Sequence, residues 1–278
     1  MTYKIIGDSC LDLTQEMRKD SHFQIIPLLL QVGDYHVVDD EMFDQAAFLK
    51  AVREHSECPK TACPSPEQFK KAYECEEENI FVLTLSEHLS GSYNSAVLAK
   101  NLYEEEHGHK NIFVLSSDSA SSGEVKLALY IKQWCEEGYR FEEVCEKAIA
   151  LKDSMKTYFV LETLDFLRKN GRMNGLQAFF ATTLNIKPVM GGDHGVIVKL
   201  DQARGMTKAL NRMIEIAIRD AGKTEDKVLI IAHCNNRKRA EQVKEIASAK
   251  AVFKDILITE TAGVATVYAG DGGIILAL

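Results

Sequence analysis

Three serines and one glycine stand close together in Ser86-Glu87-His88-Leu89-Ser90-Gly91-Ser92-Tyr93. Serine hydroxyls can donate to an anion, and a glycine lets it approach the backbone closely. A helix starting near Ser90 or Ser92 adds unpaired N–H groups and the positive end of its dipole. This chemistry suits an anion-binding turn. The competing reading is that the serines only cap the helix, which serine does well. A second hydroxyl lies in Lys60-Thr61-Ala62-Cys63-Pro64-Ser65-Pro66. Two prolines hold this loop extended, and Ser65 with Gln68 fits a capping box. Thr61 has no local capping job, so its hydroxyl is the more interesting, with a plain turn role as the alternative. Gly7-Asp8-Ser9 adds a polar triplet that equally suits a turn bonded to its own backbone.

Catalytic readings find less support. No Gly-x-Ser-x-Gly elbow and no P-loop is present. Ser90-Gly91-Ser92 lacks an identifiable base, because His88 lies in the same turn and reads as a surface residue. A small-molecule phosphotransferase or hydrolase using the serine-rich turns therefore stands as the alternative function, and a regulatory interaction protein as a third. His107-Gly108-His109 and His233-Cys234 have no recognisable metal-site spacing, so no metal is expected.

The elements that must position these hydroxyls follow from hydrophobic patterning. Phe81-Val82-Leu83-Thr84-Leu85 suits a strand buried on both faces, and residues 96–103 repeat apolar positions at helical spacing. Residues 4–6, 25–30 and 111–115 read as further strands, with Pro27 favouring an edge or a bulge. Leu11-Asp12-Leu13-Thr14 leads toward a helix. Residues 44–54, 124–137 and 141–152 read as helices, and a short strand or extended piece spans 37–40. Strands alternating with helices imply a parallel sheet covered by helices. From residue 157 the pattern gives a strand at 158–161 and a helix beginning at 163–167, broken at Asn170-Gly171-Arg172. A helix across 176–180 and a hairpin of 185–190 with 196–200, turning at 191–195, come next. Then come a helix at 206–220, a strand at 228–233, a charged helix at 237–249 and a strand at 256–259. The glycine-rich tail ends in a strand at 274–278. The expected architecture is α/β with two lobes. The first, residues 1–157, carries a mostly parallel sheet covered by helices. The second, residues 158–278, is an α/β lobe with a mixed sheet.

With 278 residues, 46% hydrophobic and 27% charged, the chain has an ordinary globular composition. A net charge of −8 argues against a nucleic-acid-binding surface. No apolar run approaches the ~20 residues a membrane span needs. Seven cysteines without a Cys-x-x-Cys pair suit reduced thiols, and the expected location is the cytoplasm.

Taken in order, several motifs resemble one family. They are Gly7-Asp8-Ser9, the Thr61-to-Ser65 loop, Leu89-Ser90-Gly91-Ser92-Tyr93, Asn170-Gly171-Arg172, Asn185-Ile186-Lys187-Pro188 and Ala203-Arg204-Gly205, followed by the glycine-rich tail. The chain is similar throughout to the DegV family of bacterial fatty-acid-binding proteins. The resemblance implies a non-catalytic carrier with a long-chain fatty acid buried between two lobes and no cofactor. A fatty acid kinase is the implied partner, acting on the presented carboxyl group. It further implies that Thr61, Ser90, Gly91 and Ser92 hold the carboxylate, with Tyr268 beside them and Ser9, Ser65 and Arg172 supporting. The family tail commonly reads His-Thr-Gly-Pro-Gly, where this chain has Tyr268-Ala269-Gly270-Asp271-Gly272. Tyr268 can donate one hydrogen bond but is no cation at neutral pH. The expectation is that fatty acid binds while phosphorylation is poorly supported.

Overall fold

A computed structural model describes residues 1–173 and 185–278. The first half contains β1 (Tyr3–Asp8), β2 (Phe23–Ile26), β3 (Leu29–Val32), β4 (Tyr35–Val38), α1 (Gln45–Glu54), β5 (Lys60–Ala62), α2 (Pro66–Tyr73), β6 (Asn79–Thr84), α3 (Ser92–His107), β7 (Asn111–Ser116), α4 (Ser122–Glu136) and α5 (Phe141–Ser154). The second contains β8 (Thr157–Val160), α6 (Asp165–Lys169), β9 (Ile186–Asp193), β10 (Val196–Arg204), α7 (Met206–Ala221), β11 (Val228–His233), α8 (Arg237–Lys250), β12 (Asp255–Glu260), α9 (Gly263–Ala269) and β13 (Ile274–Ala277).

The first sheet runs β2-β1-β6-β7 and every pair in it is parallel. Its strands are apolar on both faces because both are covered. Ile80 and Val82 of β6 pack with Phe69 and Tyr73 of α2 and Ala96 and Ala99 of α3. The alternate residues Phe81 and Leu83 join Val125, Ala128 and Ile131 of α4 and Val144 of α5. The second sheet, β10-β9-β8-β13-β11-β12, is mixed: only β11 and β12 pair in parallel. Helix α4 contacts both sheets, and Val228 and Ile230 of β11 share its core with Ile5 of β1. It therefore fixes the first sheet against the second. Among the described residues no helix is long and apolar enough to cross a membrane.

Several local expectations change. The strand expected over 25–30 is two strands in different sheets. Pro27 has no N–H to extend the ladder, β2 ends before it, and β3 enters a separate antiparallel sheet, β4-β3-β5. No helix follows residues 11–14; only a 3-10 turn forms at Met17–Lys19. The preceding backbone is pinned by Asp8, which accepts from Cys10 N at 3.0 Å. The expected turn over 191–195 shrinks to His194-Gly195, whose φ values of 45° and 79° close a two-residue hairpin, while Gly191 and Gly192 stay in the ladder. The tail holds a helix, α9, which the glycines concealed. The helix expected over 176–180 lies outside the described residues.

Candidate functional site

One cavity lies between the parallel sheet's carboxyl ends and β8, with about 840 Å³ free of protein atoms including its open mouth. Strand β8 explains its shape. Side chains alternate across a strand, and Thr157, Phe159 and Leu161 all face the cavity. They lay an apolar floor about 13 Å long. Ile275, opposite Phe159 on β13, widens it. Leu28, Leu85, Leu89, Leu167, Ile197 and Val264 supply further apolar wall.

The two ends differ. At the Leu161 end stand Thr61, Ser90, Arg172 and Tyr268. Strand β5 carries Thr61, and its Oγ1 lies 2.9 Å from the Tyr268 hydroxyl on α9. Ser90 ends the turn before α3. The Arg172 guanidinium sits 5.9 Å from the Tyr268 ring centre and donates from Nε to Leu89 O at 3.1 Å and from Nη1 to Asn170 O. It is held by Gly171, whose φ of 74° ends α6. At the Thr157 end, Ser119 and Thr157 hydroxyls lie 2.5 Å apart, and Asp118 is paired with Lys152 at 2.9 Å. That end has an ion pair and hydroxyls bonded to each other, whereas the other has hydroxyls and a cation.

The remaining residues singled out in the sequence fall outside the cavity wall. Ser92 is fully buried at the start of α3; its hydroxyl is 3.1 Å from Ser90 Oγ and donates to Asp8. It positions Ser90 rather than lining the space. Gly91 is exposed, and a side chain there would meet Cys63 Sγ at 3.1 Å, so the Thr61 loop and the serine turn pack closely. Ser65 is exposed and completes the capping box of α2 with Gln68. Ser9 accepts from Leu28 N at 3.0 Å and donates to Asp39, a wholly structural placement. Gly272 and Gly273 close the turn between α9 and β13 against Arg239 and Ala269. The Tyr268 ring packs into two apolar clusters while its hydroxyl reaches Thr61, so interface packing and polar contact hold together.

Sequence reasoning missed a buried carboxylate cluster behind this site. Asp39 Oδ1 and Oδ2 accept from Gly263 N at 2.6 Å and Val264 N at 2.8 Å, capping α9. Asp12 accepts from Ala262 N and Ser121 Oγ, both at 2.5 Å. Asp8 accepts from Leu85 N at 3.0 Å. Burial raises Asp12 to about 7 and Asp8 and Asp39 to about 6, despite these hydrogen bonds. Glu124 is fully buried, and burial with the nearby Asp8 and Asp12 pushes it well above the usual range. No local pattern marks these partners, because they are up to 250 residues apart. Among the described residues no group of side chains is set to hold a metal.

Comparison with known proteins places the whole chain. A family model described as "Uncharacterised protein, DegV family" matches residues 2–278. A DegV domain-containing protein of Streptococcus gordonii is 35% identical over 99% of this chain and 98% of its own. A solved DegV-family protein of Ruminococcus gnavus, refined with vaccenic acid, is 46% identical with a TM-score of 0.98, covering all of both chains. The Streptococcus pneumoniae Fatty Acid Kinase (Fak) B3 protein, loaded with linoleic acid, is 34% identical with a TM-score of 0.90, covering 100% of this chain and 99% of that one.

Proposed function

This chain belongs to the DegV family, and on that premise we propose that it binds one long-chain fatty acid between two lobes divided near residue 157. The carboxylate is held by Thr61, Ser90, Tyr268 and Arg172, and the chain lies along β8. The observation that carries the reading is the polarity of the cavity: donors and a cation converge at one end of an apolar channel, and the other end is closed by Asp118 and a self-satisfied hydroxyl pair. Charge-assisted bonds from hydroxyls and guanidinium fix the head group's direction. Burial supplies the affinity: at about 0.8 kcal/mol per CH₂, a ~16-carbon chain gains on the order of 12 kcal/mol gross, before the costs of ordering it. Among the described residues that line the cavity none is a base set beside a nucleophile, and the solved relatives hold fatty acids, which supports a carrier. Its partner is a fatty acid kinase acting on the presented carboxyl group. Mass spectrometry of ligand extracted from purified protein tests this: a long-chain fatty acid is expected, and a polar metabolite or a phosphorylated small molecule in its place would favour the enzyme reading.

A further inference from the structure

We infer that Gly192 and the Ser119–Thr157 hydroxyl pair form the stop that sets the length of acyl chain the cavity accepts. The inference rests on the fatty-acid reading and adds which residues make it selective. Gly192 lies in β9, paired with Ile197 of β10. A Cβ built on it points at Asp118 O, 3.7 Å away, and Thr157 Cβ, 3.9 Å away. Both residues line the cavity, so a side chain at 192 would grow into it. The contacts are ordinary van der Waals distances and no positive φ is recorded for Gly192, so the backbone tolerates a larger residue. Gly191, by contrast, has no room: its Cβ would meet Leu200 Cδ1 at 2.7 Å. The glycine at 192 thus leaves space at the far end that its neighbour's environment does not offer.

Thr157, beside Gly192 on the neighbouring strand β8, closes that space together with Ser119, to which it is bonded. The hairpin tip seals it further, because Ser86 Oγ donates to Gly195 O at 2.8 Å and ties β9 and β10 to the turn beneath the serines. A methyl terminus that reaches this wall meets hydroxyls already paired and a carboxylate already bound by Lys152. Further carbons gain no apolar burial there, and forcing the pair apart would leave buried hydroxyls without partners.

Binding of a saturated series of about ten to twenty carbons tests this. In the wild type, affinity rises about fourfold per CH₂ and then flattens at the stop. Gly192→Leu moves the break to chains about two carbons shorter and leaves affinity for the short members within about twofold. Thr157→Ala moves it the other way, and Ser119 keeps Ala120 O as an acceptor at 3.4 Å. Folded variants with the wild-type break overturn the inference. If Gly192→Leu fails to fold, Thr157→Ala decides alone. A wild type that binds no member of the series sinks the fatty-acid reading itself, an outcome distinct from binding with an unmoved break.

Discussion

The hydroxyl end of the cavity and the carboxylate cluster behind it are built from neighbouring turns, yet their chemistry is opposite. Thr61, Ser90, Tyr268 and Arg172 are partly exposed and line open space. Asp8, Asp12 and Asp39 are almost fully buried, and their oxygens are occupied by N–H and O–H groups of the protein itself. The first cluster has capacity left for an anion. The second has spent its capacity on holding α9 and the turn after β1. Both bear on Tyr268: the carboxylates cap the start of α9, and the hydroxyl cluster receives its end. Polar residues at a sheet's carboxyl edge therefore divide into those that grip a ligand and those that place the grip.

The sharpest break in this comparison is Asp39→Ala. It strands two buried N–H groups of α9, so stability should fall by about 3 kcal/mol, read by urea unfolding, with ligand binding lost along with it. An unchanged midpoint would mean that the caps are dispensable. Next, Arg172→Gln should cost about 2 kcal/mol of fatty acid affinity while unfolding of the ligand-free protein moves by under about 0.5 kcal/mol. Equal losses in both would return Arg172 to a structural role. Thr61→Val with Ser90→Ala should weaken binding by roughly 1–3 kcal/mol per donor, whereas Ser92→Ala should act mainly on stability through Asp8.

A pH series reads the carboxylate cluster. Asp12 is raised to about 7, above its unfolded value. Its stabilising share is therefore fully present below the unfolded value and lost as pH rises through 7. The melting temperature of ligand-free protein should fall as pH rises from about 4 to 7, the span between the unfolded and folded values, and Asp12→Asn should reduce that fall. His233, lowered by burial, works in the opposite direction at lower pH. The smallest effect on affinity is expected at Tyr268. Tyr268→His should change fatty acid binding little but raise acyl-phosphate formation by a fatty acid kinase. No gain would show that Arg172, 5.9 Å from that ring, already supplies the charge.

The parallel sheet was legible because strands covered on both faces read as unbroken apolar runs, as in Asn79–Thr84. The capping box at Ser65 and the α6 stop at Gly171 were legible because both are local. Thr61 could be picked out as a hydroxyl without an evident structural task, whereas Ser90 could equally be a helix cap. The split at Pro27 was half legible: proline announced the break but not the change of sheet. Helix α9 was hidden because its cap, Asp39, comes from 224 residues away. Arg172 reads locally as part of a helix terminus and joins the site only through the family resemblance, since nothing in its neighbourhood of sequence brings it to Tyr268. Gly191-Gly192 read as part of a turn, and only the partner strand shows that they stay in the ladder.

The central claim is the direction of the bound chain. A crystal of the complex with a fatty acid brominated at its methyl end would locate that end by anomalous scattering. The account predicts the bromine beside Thr157 and Gly192, with the carboxylate at Thr61, Ser90 and Arg172. Bromine beside Tyr268, with the carboxylate facing Asp118, would contradict it.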